Sequence, residues 1–304
     1  MELRDADLAV RTRGLTKSFR KRTVVDGLDL AIPRGSVYGF LGPNGSGKST
    51  TMKMLLGLLH PSAGQVFLLG EDPWGEARAR LMPRIGSMIE HPPGYGHLTG
   101  AENMRLLARL LNLETTRIDR ALELVRLTDH RDRLQRTYSL GMKQRLGIAM
   151  ALAREPELLI LDEPTNGLDP AGIEEIRELM IHLASGGVTV MISSHLLDEI
   201  DRMADILGVL SQGRLVFQGS RKELFERSIP DLIVVTPQAN AAANLVRGCR
   251  LERNGIRVQG CGQEDAARLI VRLVQEGIPI HEVRRLQQSL EEVFMDLTGG
   301  TEAL

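Results

Sequence analysis

Apolar residues recur along this chain in two rhythms. Short runs bounded by polar residues stand at Ser36-Val37-Tyr38-Gly39-Phe40-Leu41, at Leu158 to Leu161 and at Val188 to Ile192, and read as strands covered on both faces. Between them the spacing lengthens to helical. Thr50 to Leu59 reads as one helix, Met104, Leu107, Leu110 and Leu111 mark a second, and Met142, Leu146, Ala149, Met150 and Ala153 mark a third that ends before Pro156. Thr99-Gly100-Ala101-Glu102 is a capping-box pattern opening the second of these helices. Strands alternating with amphipathic helices predict an α/β fold around a mostly parallel sheet, with a helix-dominated insert from about 88 to 154.

After about Ile229 the rhythm changes. Leu232 to Thr236, Gln238 to Arg247, Cys249 to Glu252, Ile256 to Gln259, Glu264 to Glu276 and Ile280 to Arg285 read as strand, helix, strand, strand, helix, strand. That order predicts a small split βαβ, ferredoxin-like α+β domain over 229–304, behind a first domain over 1–228. Asn254-Gly255 supplies the hairpin turn, and Ser289-Leu290-Glu291-Glu292 caps a last helix. The segment holds no cluster of acids, histidines or cysteines that reads as a site, so an accessory or dimerisation role is expected.

Composition narrows the function classes. The chain has 304 residues with 42% hydrophobic content, enough for a large core. Its 38 basic and 39 acidic residues nearly cancel, so no general electrostatic drive toward nucleic acid exists and no nucleic-acid partner is expected. Cys249 and Cys261 are too few for a disulfide framework and read as reduced thiols of a cytosolic protein. The charged start, Met1-Glu2-Leu3-Arg4-Asp5-Ala6-Asp7, does not read as a signal peptide, and no run approaches a membrane span.

The chemistry is concentrated after the predicted strands. Gly42-Pro43-Asn44-Gly45-Ser46-Gly47-Lys48-Ser49-Thr50 fits the phosphate-loop pattern G-x-x-x-x-G-K-[ST]. Glycines there let successive backbone N–H groups curl around phosphate oxygens, Lys48 reaches the β- and γ-phosphates, and the Ser49 hydroxyl holds Mg²⁺. A helix beginning in this loop points its positive end at the anion. At the end of the run Leu158-Leu159-Ile160-Leu161, Asp162 is placed to orient Mg²⁺ or its waters and Glu163 to face an attacking water. Ser193-Ser194-His195 ends the next strand, on the same carboxyl edge where ligands of open α/β sheets bind. Tyr138-Ser139-Leu140-Gly141 opens another helix and is a second potential anion turn.

In order and spacing, the loop at Gly42 to Thr50, Ser139 to Arg145, Asp162-Glu163-Pro164-Thr165, Asn166-Gly167-Leu168-Asp169 and Ser194-His195 resemble the nucleotide-binding subunit of an ATP-binding cassette (ABC) transporter. The resemblance covers about residues 8 to 225. Ile89-Glu90-His91-Pro92, Tyr138 to Met142 and the tail through Leu290-Glu291-Glu292-Val293-Phe294 look most like type-2 cassettes of bacitracin, lantibiotic and multidrug exporters. It implies a P-loop NTPase core with an inserted helical subdomain, ATP and Mg²⁺ as ligands, and an ATPase peripheral to the cytoplasmic face of the membrane that drives a separate membrane-spanning permease. It further implies that Phe19 stacks on adenine, that His195 contacts the γ-phosphate, and that Asp169 links two sites across a head-to-tail homodimer. Ser139 and Gly141 would close over the ATP of the opposite subunit.

Two positions depart from the family pattern. Tyr138-Ser139-Leu140-Gly141-Met142 replaces the usual Leu-Ser-Gly-Gly-Gln, although the Ser139 hydroxyl and the Gly141 N–H, which can reach phosphate, are both kept. Glu90 stands where the family carries a glutamine; a carboxylate accepts hydrogen bonds but does not donate them, and the expectation is a metal-side ligand that couples the site to the membrane partner. Two alternatives stay open on sequence grounds: a cassette ATPase acting on ribosomes or nucleic acid, and a weakly hydrolysing regulatory nucleotide-binding module.

Overall fold

The computed structural model describes residues 4–20, 22–227, 229–246, 248–287 and 289–298; the start at Met1 to Leu3 and the expected helix end at Arg247 lie outside them. The chain divides into two compact units, Met1–Ser220 and Arg221–Leu304.

In the first unit the strands are β1 (Leu8–Phe19), β2 (Arg22–Leu28), β3 (Ala31–Pro33), β4 (Val37–Leu41), β5 (Ala63–Leu68), β6 (Ile85–Met88), β7 (Leu158–Asp162), β8 (Thr189–Ser194), β9 (Ile206–Ser211) and β10 (Arg214–Ser220). Its helices are α1 (Lys48–Leu55), α2 (Arg78–Leu81), α3 (Gly100–Leu111), α4 (Thr115–Leu124), α5 (Leu140–Leu152), α6 (Pro170–Ser185) and α7 (Leu197–Asp201). The central sheet runs β10-β9-β4-β8-β7-β6, parallel throughout except for the antiparallel edge strand β10. Strands β4, β7 and β8 are buried along their full length, as their unbroken apolar runs require. Each fully buried Leu or Ile there contributes about 1.5–3 kcal/mol over leaving it exposed, and this rigid core fixes the strand ends that carry the chemistry.

A second sheet was not anticipated. β1 pairs antiparallel with β2, β3 and β5, and its register shifts at several points, so the alternation that marks a half-buried strand is broken along its length. The helical insert is built from α3, α4 and α5. The α3 capping box is formed in both directions: the Glu102 N–H donates to Thr99 Oγ1 at 3.1 Å and the Thr99 N–H to Glu102 Oε2 at 2.7 Å. The phosphate-loop helix begins earlier and ends earlier than the spacing predicts, at Lys48 and Leu55, because Gly57 takes a left-handed conformation (φ +66°) that closes it.

The second unit contains α8 (Arg221–Arg227), β11 (Asp231–Val235), α9 (Ala239–Leu245), β12 (Cys249–Glu252), β13 (Gly255–Val258), α10 (Gln263–Gln275), β14 (Glu282–Leu286) and α11 (Leu290–Thr298). The division therefore precedes α8 instead of following it at 228, since α8 packs on α11 of its own unit. Its antiparallel sheet runs β12-β13-β11-β14, the ferredoxin-like order, over a core that includes Leu232, Val234, Ile256 and Leu273. The hairpin turn sits at Arg253–Asn254, one residue before the expected pair, and Gly255 already faces Glu252 as a strand residue. Its lack of a side chain serves packing: a Cβ there would lie 2.0 Å from the Val234 carbonyl oxygen.

Candidate functional site

Buried β4 delivers the chain into the loop after Leu41. A Cβ at Gly42 would stand 2.4 Å from the Leu210 carbonyl oxygen and one at Gly47 would stand 2.8 Å from that of Val24, so the loop is packed against backbone at both ends. Gly45 and Gly47 have φ of +80° and +109°, which glycine adopts without strain. No side chain caps α1 at Gly47. The first-turn N–H groups, which have no intrahelical partner, remain available to an anion.

Lys48, the first residue of α1, is 6% exposed. Its ammonium donates to the Gly42 carbonyl at 2.6 Å and lies 3.6 Å from Glu163 Oε1. Burial pulls its pKa below the usual lysine value, while the neighbouring Glu163 and Asp162 carboxylates work the other way. A buried ammonium held by carbonyls and one facing carboxylate is a cation ready for a stronger anionic partner, and its chemistry fits a triphosphate.

Opposite the loop, β7 and β8 end side by side, with Asp162 in register with Ser193. The Ser193 hydroxyl donates to Asp162 Oδ1 at 2.6 Å and accepts the Glu163 N–H at 3.0 Å, which fixes both acids from the neighbouring strand. Glu163 leaves the strand with a left-handed backbone, φ +51°. Its Oε2 lies 2.6 Å from His195 Nδ1. Loop, helix start and strand ends enclose a cleft of about 400 Å³ lined by Val24, Asn44, Gly45, Gly47, Lys48, Ser49, Thr50, Glu163, Asn166 and His195. The Ser49 hydroxyl and the Asp162 carboxylate are hard oxygen donors of the kind Mg²⁺ takes.

The remaining residues singled out in the sequence lie outside that lining. Gly42 is buried beneath the loop as an acceptor for Lys48, and Asp162 sits behind Glu163, 5% exposed. Phe19, at the end of β1, is 46% exposed with the Lys17 ammonium 5.1 Å from its ring centroid. Ser139 caps α5 by accepting the Met142 N–H at 3.2 Å, and Asp169 caps α6 by accepting the Gly172 N–H at 3.0 Å. These two turns touch: a Cβ at Gly167 would meet Leu140 Cδ2 at 2.6 Å, and one at Gly141 would meet Leu168 Cδ2 at 3.5 Å. The unusual Tyr138 is buried, its hydroxyl donating to the His130 carbonyl at 2.7 Å beside Gly100, where a Cβ would leave it no room. Glu90 is also displaced from the cleft. It stands at φ +66° with its carboxylate 2.5 Å from the Lys53 ammonium, and that hydrogen bond holds its pKa below the ordinary glutamate value. Lys53 belongs to α1, so the link runs to the last turn of the phosphate-loop helix.

Sequence reasoning missed Val24, Asn166 and the role of Ser193. Ser193 and Asn166 were visible as polar residues at strand and turn ends. Val24 carries no local signal, because the antiparallel sheet brings it in.

The ABC transporter family model matches residues 25–166. The chain is 40% identical to the uncharacterized ABC transporter ATP-binding protein YhcH of Bacillus subtilis (strain 168), over 95% of each chain. It is 38% identical to the bacitracin transport ATP-binding protein BcrA of Enterococcus faecalis, over 97% of each. Among solved structures, cbiO1 of Clostridium perfringens, part of the ABC transporter complex cbiONQ, is similar with a TM-score of 0.67 and 30% identity, covering 73% of this chain and 92% of that one.

Proposed function

We propose that this chain, which belongs to the ATP-binding subunits of the ABC transporter family, hydrolyses ATP with Mg²⁺ to energise export of an antibiotic, peptide or drug through a separate membrane-spanning permease. ATP binding, ATPase activity and work alongside membrane permease subunits belong to the family. No helix among the described residues is long and apolar enough to cross a membrane. The export class rests on relatives such as the bacitracin transport subunit.

The observation that carries the reading is the convergence of Lys48, Glu163 and His195 on one cleft, with Glu163 3.6 Å from the lysine and 2.6 Å from the histidine. In this reading the N–H groups from Asn44 to Thr50 cradle the phosphates and Lys48 turns from Gly42 to the β- and γ-oxygens. Ser49 and Asp162 hold Mg²⁺. Glu163 takes the proton of the attacking water, and His195 donates to the γ-phosphate. The exposed turn at Ser139 to Gly141 and the adjoining Asp169 face a second copy of the chain, and Phe19 offers its ring to adenine. Glu90, whose Oε1 holds the Lys53 ammonium of α1, reports the state of that helix to the permease. The unit from Arg221 onward is an accessory or dimerisation domain, and the protein works at the cytoplasmic face of the membrane.

The test is ATP turnover with candidate permeases in liposomes. The expected result is copurification with one permease and turnover stimulated by it. Turnover indifferent to every permease but raised by ribosomes or nucleic acid would overturn the export reading.

A further inference from the structure

Beyond the residues that line the cleft, the β7 and β8 ends are tied together a second time. Thr165, two residues after Glu163, donates its hydroxyl to Glu199 Oε2 at 2.5 Å. Ser194, immediately before His195, donates its hydroxyl to the same oxygen at 3.3 Å and accepts the Leu196 N–H at 2.9 Å. Both hydroxyls are buried, on residues 2% and 1% exposed. Successive strand residues point to opposite faces, so Ser193 locks Asp162 on one side while Ser194 reaches Glu199 on the other. One carboxylate, itself only an acceptor, thus gathers the turn that carries Glu163 and the turn that carries His195.

We propose that Glu199 is a positioning residue that sets the spacing of Glu163 and His195 for ATP hydrolysis. This rests on the roles given above to those two residues. Their direct contact of 2.6 Å is given up when each engages phosphate or water, whereas the bonds to Glu199 lie behind them and persist through the reaction. Removing the carboxylate leaves two buried hydroxyls without an acceptor and frees the two turns to drift apart, and a drift of about 1 Å at a reacting pair costs up to about a hundredfold in rate.

The experiment measures kcat, the KM for ATP and nucleotide binding for the full-length chain with its permease, comparing wild type with Glu199→Ala, Glu199→Gln, Thr165→Val and Glu163→Gln. Glu199→Ala is expected to lower kcat about tenfold to a hundredfold with KM within about twofold of wild type. Glu199→Gln, whose amide oxygen still accepts both hydroxyls, should recover most of the loss. Thr165→Val should lower kcat in the same direction, and Glu199→Ala added to it should cost less than Glu199→Ala does alone. Should Glu199→Ala fail to fold, the Thr165→Val and Glu199→Gln pair carries the test, with kcat expected to fall in the former and hold in the latter. Unchanged kcat in Glu199→Ala, a loss confined to KM, full additivity with Thr165→Val, or no recovery with glutamine would each overturn the proposal. With Glu163→Gln slow, any of those results removes Glu199 alone. If Glu163→Gln turns over like wild type, the role of Glu163 falls and the proposal falls with it.

Discussion

Glu163 occupies a left-handed backbone conformation, φ +51°, that costs a non-glycine residue about 1–2 kcal/mol. The strain is held by the Ser193 hydroxyl on its N–H and by the packed β7 strand beneath it. Its effect is to turn the carboxylate out of the sheet line toward Lys48 and His195. The charge is what a base needs, so Glu163→Gln should keep the turn and still bind ATP while losing about 10²–10⁴ in kcat, read by phosphate release beside a nucleotide-binding measurement. Lys48→Ala removes the buried cation and should abolish binding itself in the same assay. Glu90 makes a different argument. Its pairing with Lys53 puts it outside the cleft, so Glu90→Gln should leave nucleotide binding intact and weaken the stimulation of turnover by the permease. Unchanged stimulation and transport in the assembled complex would remove Glu90 from coupling.

The two capping-box helix starts are the elements on which the sequence spoke most directly. The Thr99-x-x-Glu102 and Ser289-x-x-Glu292 patterns both form reciprocal caps, because the signal and the structure are the same few hydrogen bonds. Thr99→Ala should accordingly cost about 1 kcal/mol in urea unfolding. At Glu292 the Ser289 N–H and the Arg257 guanidinium hold the carboxyl below the ordinary glutamate range. A depressed carboxylate stabilises fully above its unfolded pKa and loses that contribution as pH falls through the folded value. The second unit should thus hold its stability down to about pH 5 and weaken below about pH 4, and Glu292→Gln should flatten that loss in pH-dependent unfolding. The central strands were legible for a similar local reason, since burial on both faces writes itself into the residues, whereas the C-terminal strands were legible from the order of their elements and the turn between β12 and β13. The antiparallel sheet of β1, β2, β3 and β5 was not, since its bulges break the period and its pairing is non-local. Val24 and the Lys53–Glu90 link went unread with it, being contacts between elements distant in sequence. At the hairpin, Asn254-Gly255 carried a turn signal, yet the glycine is required by the Val234 carbonyl behind it.

For the whole molecule, the question is how the exposed Ser139 and Leu140, which do not line the chain's own cleft, can bear on phosphate. In the single chain the Ser139 hydroxyl is occupied by the Met142 N–H, and the turn leans on Gly167 and Leu168 next to Asp169. Burying Tyr138, with its hydroxyl on the His130 carbonyl, pins this turn at the start of α5. With the Met142 N–H taken by Ser139, the first-turn N–H groups of Leu140 and Gly141 are the donors left for an anion brought by another molecule. In the proposed head-to-tail pair each such turn would lie over the other's cleft, and ATP would contribute to the interface that holds the pair. Glu163→Gln, which binds ATP without turning it over, should therefore elute as a dimer with ATP and as a monomer without it. Adding Gly141→Asp sets a carboxylate where the phosphate of the second copy would arrive. That double variant should bind ATP at its own Lys48 with near-unchanged affinity yet remain monomeric by light scattering, and dimerisation equal to that of Glu163→Gln alone would show that the turn takes no part in the interface.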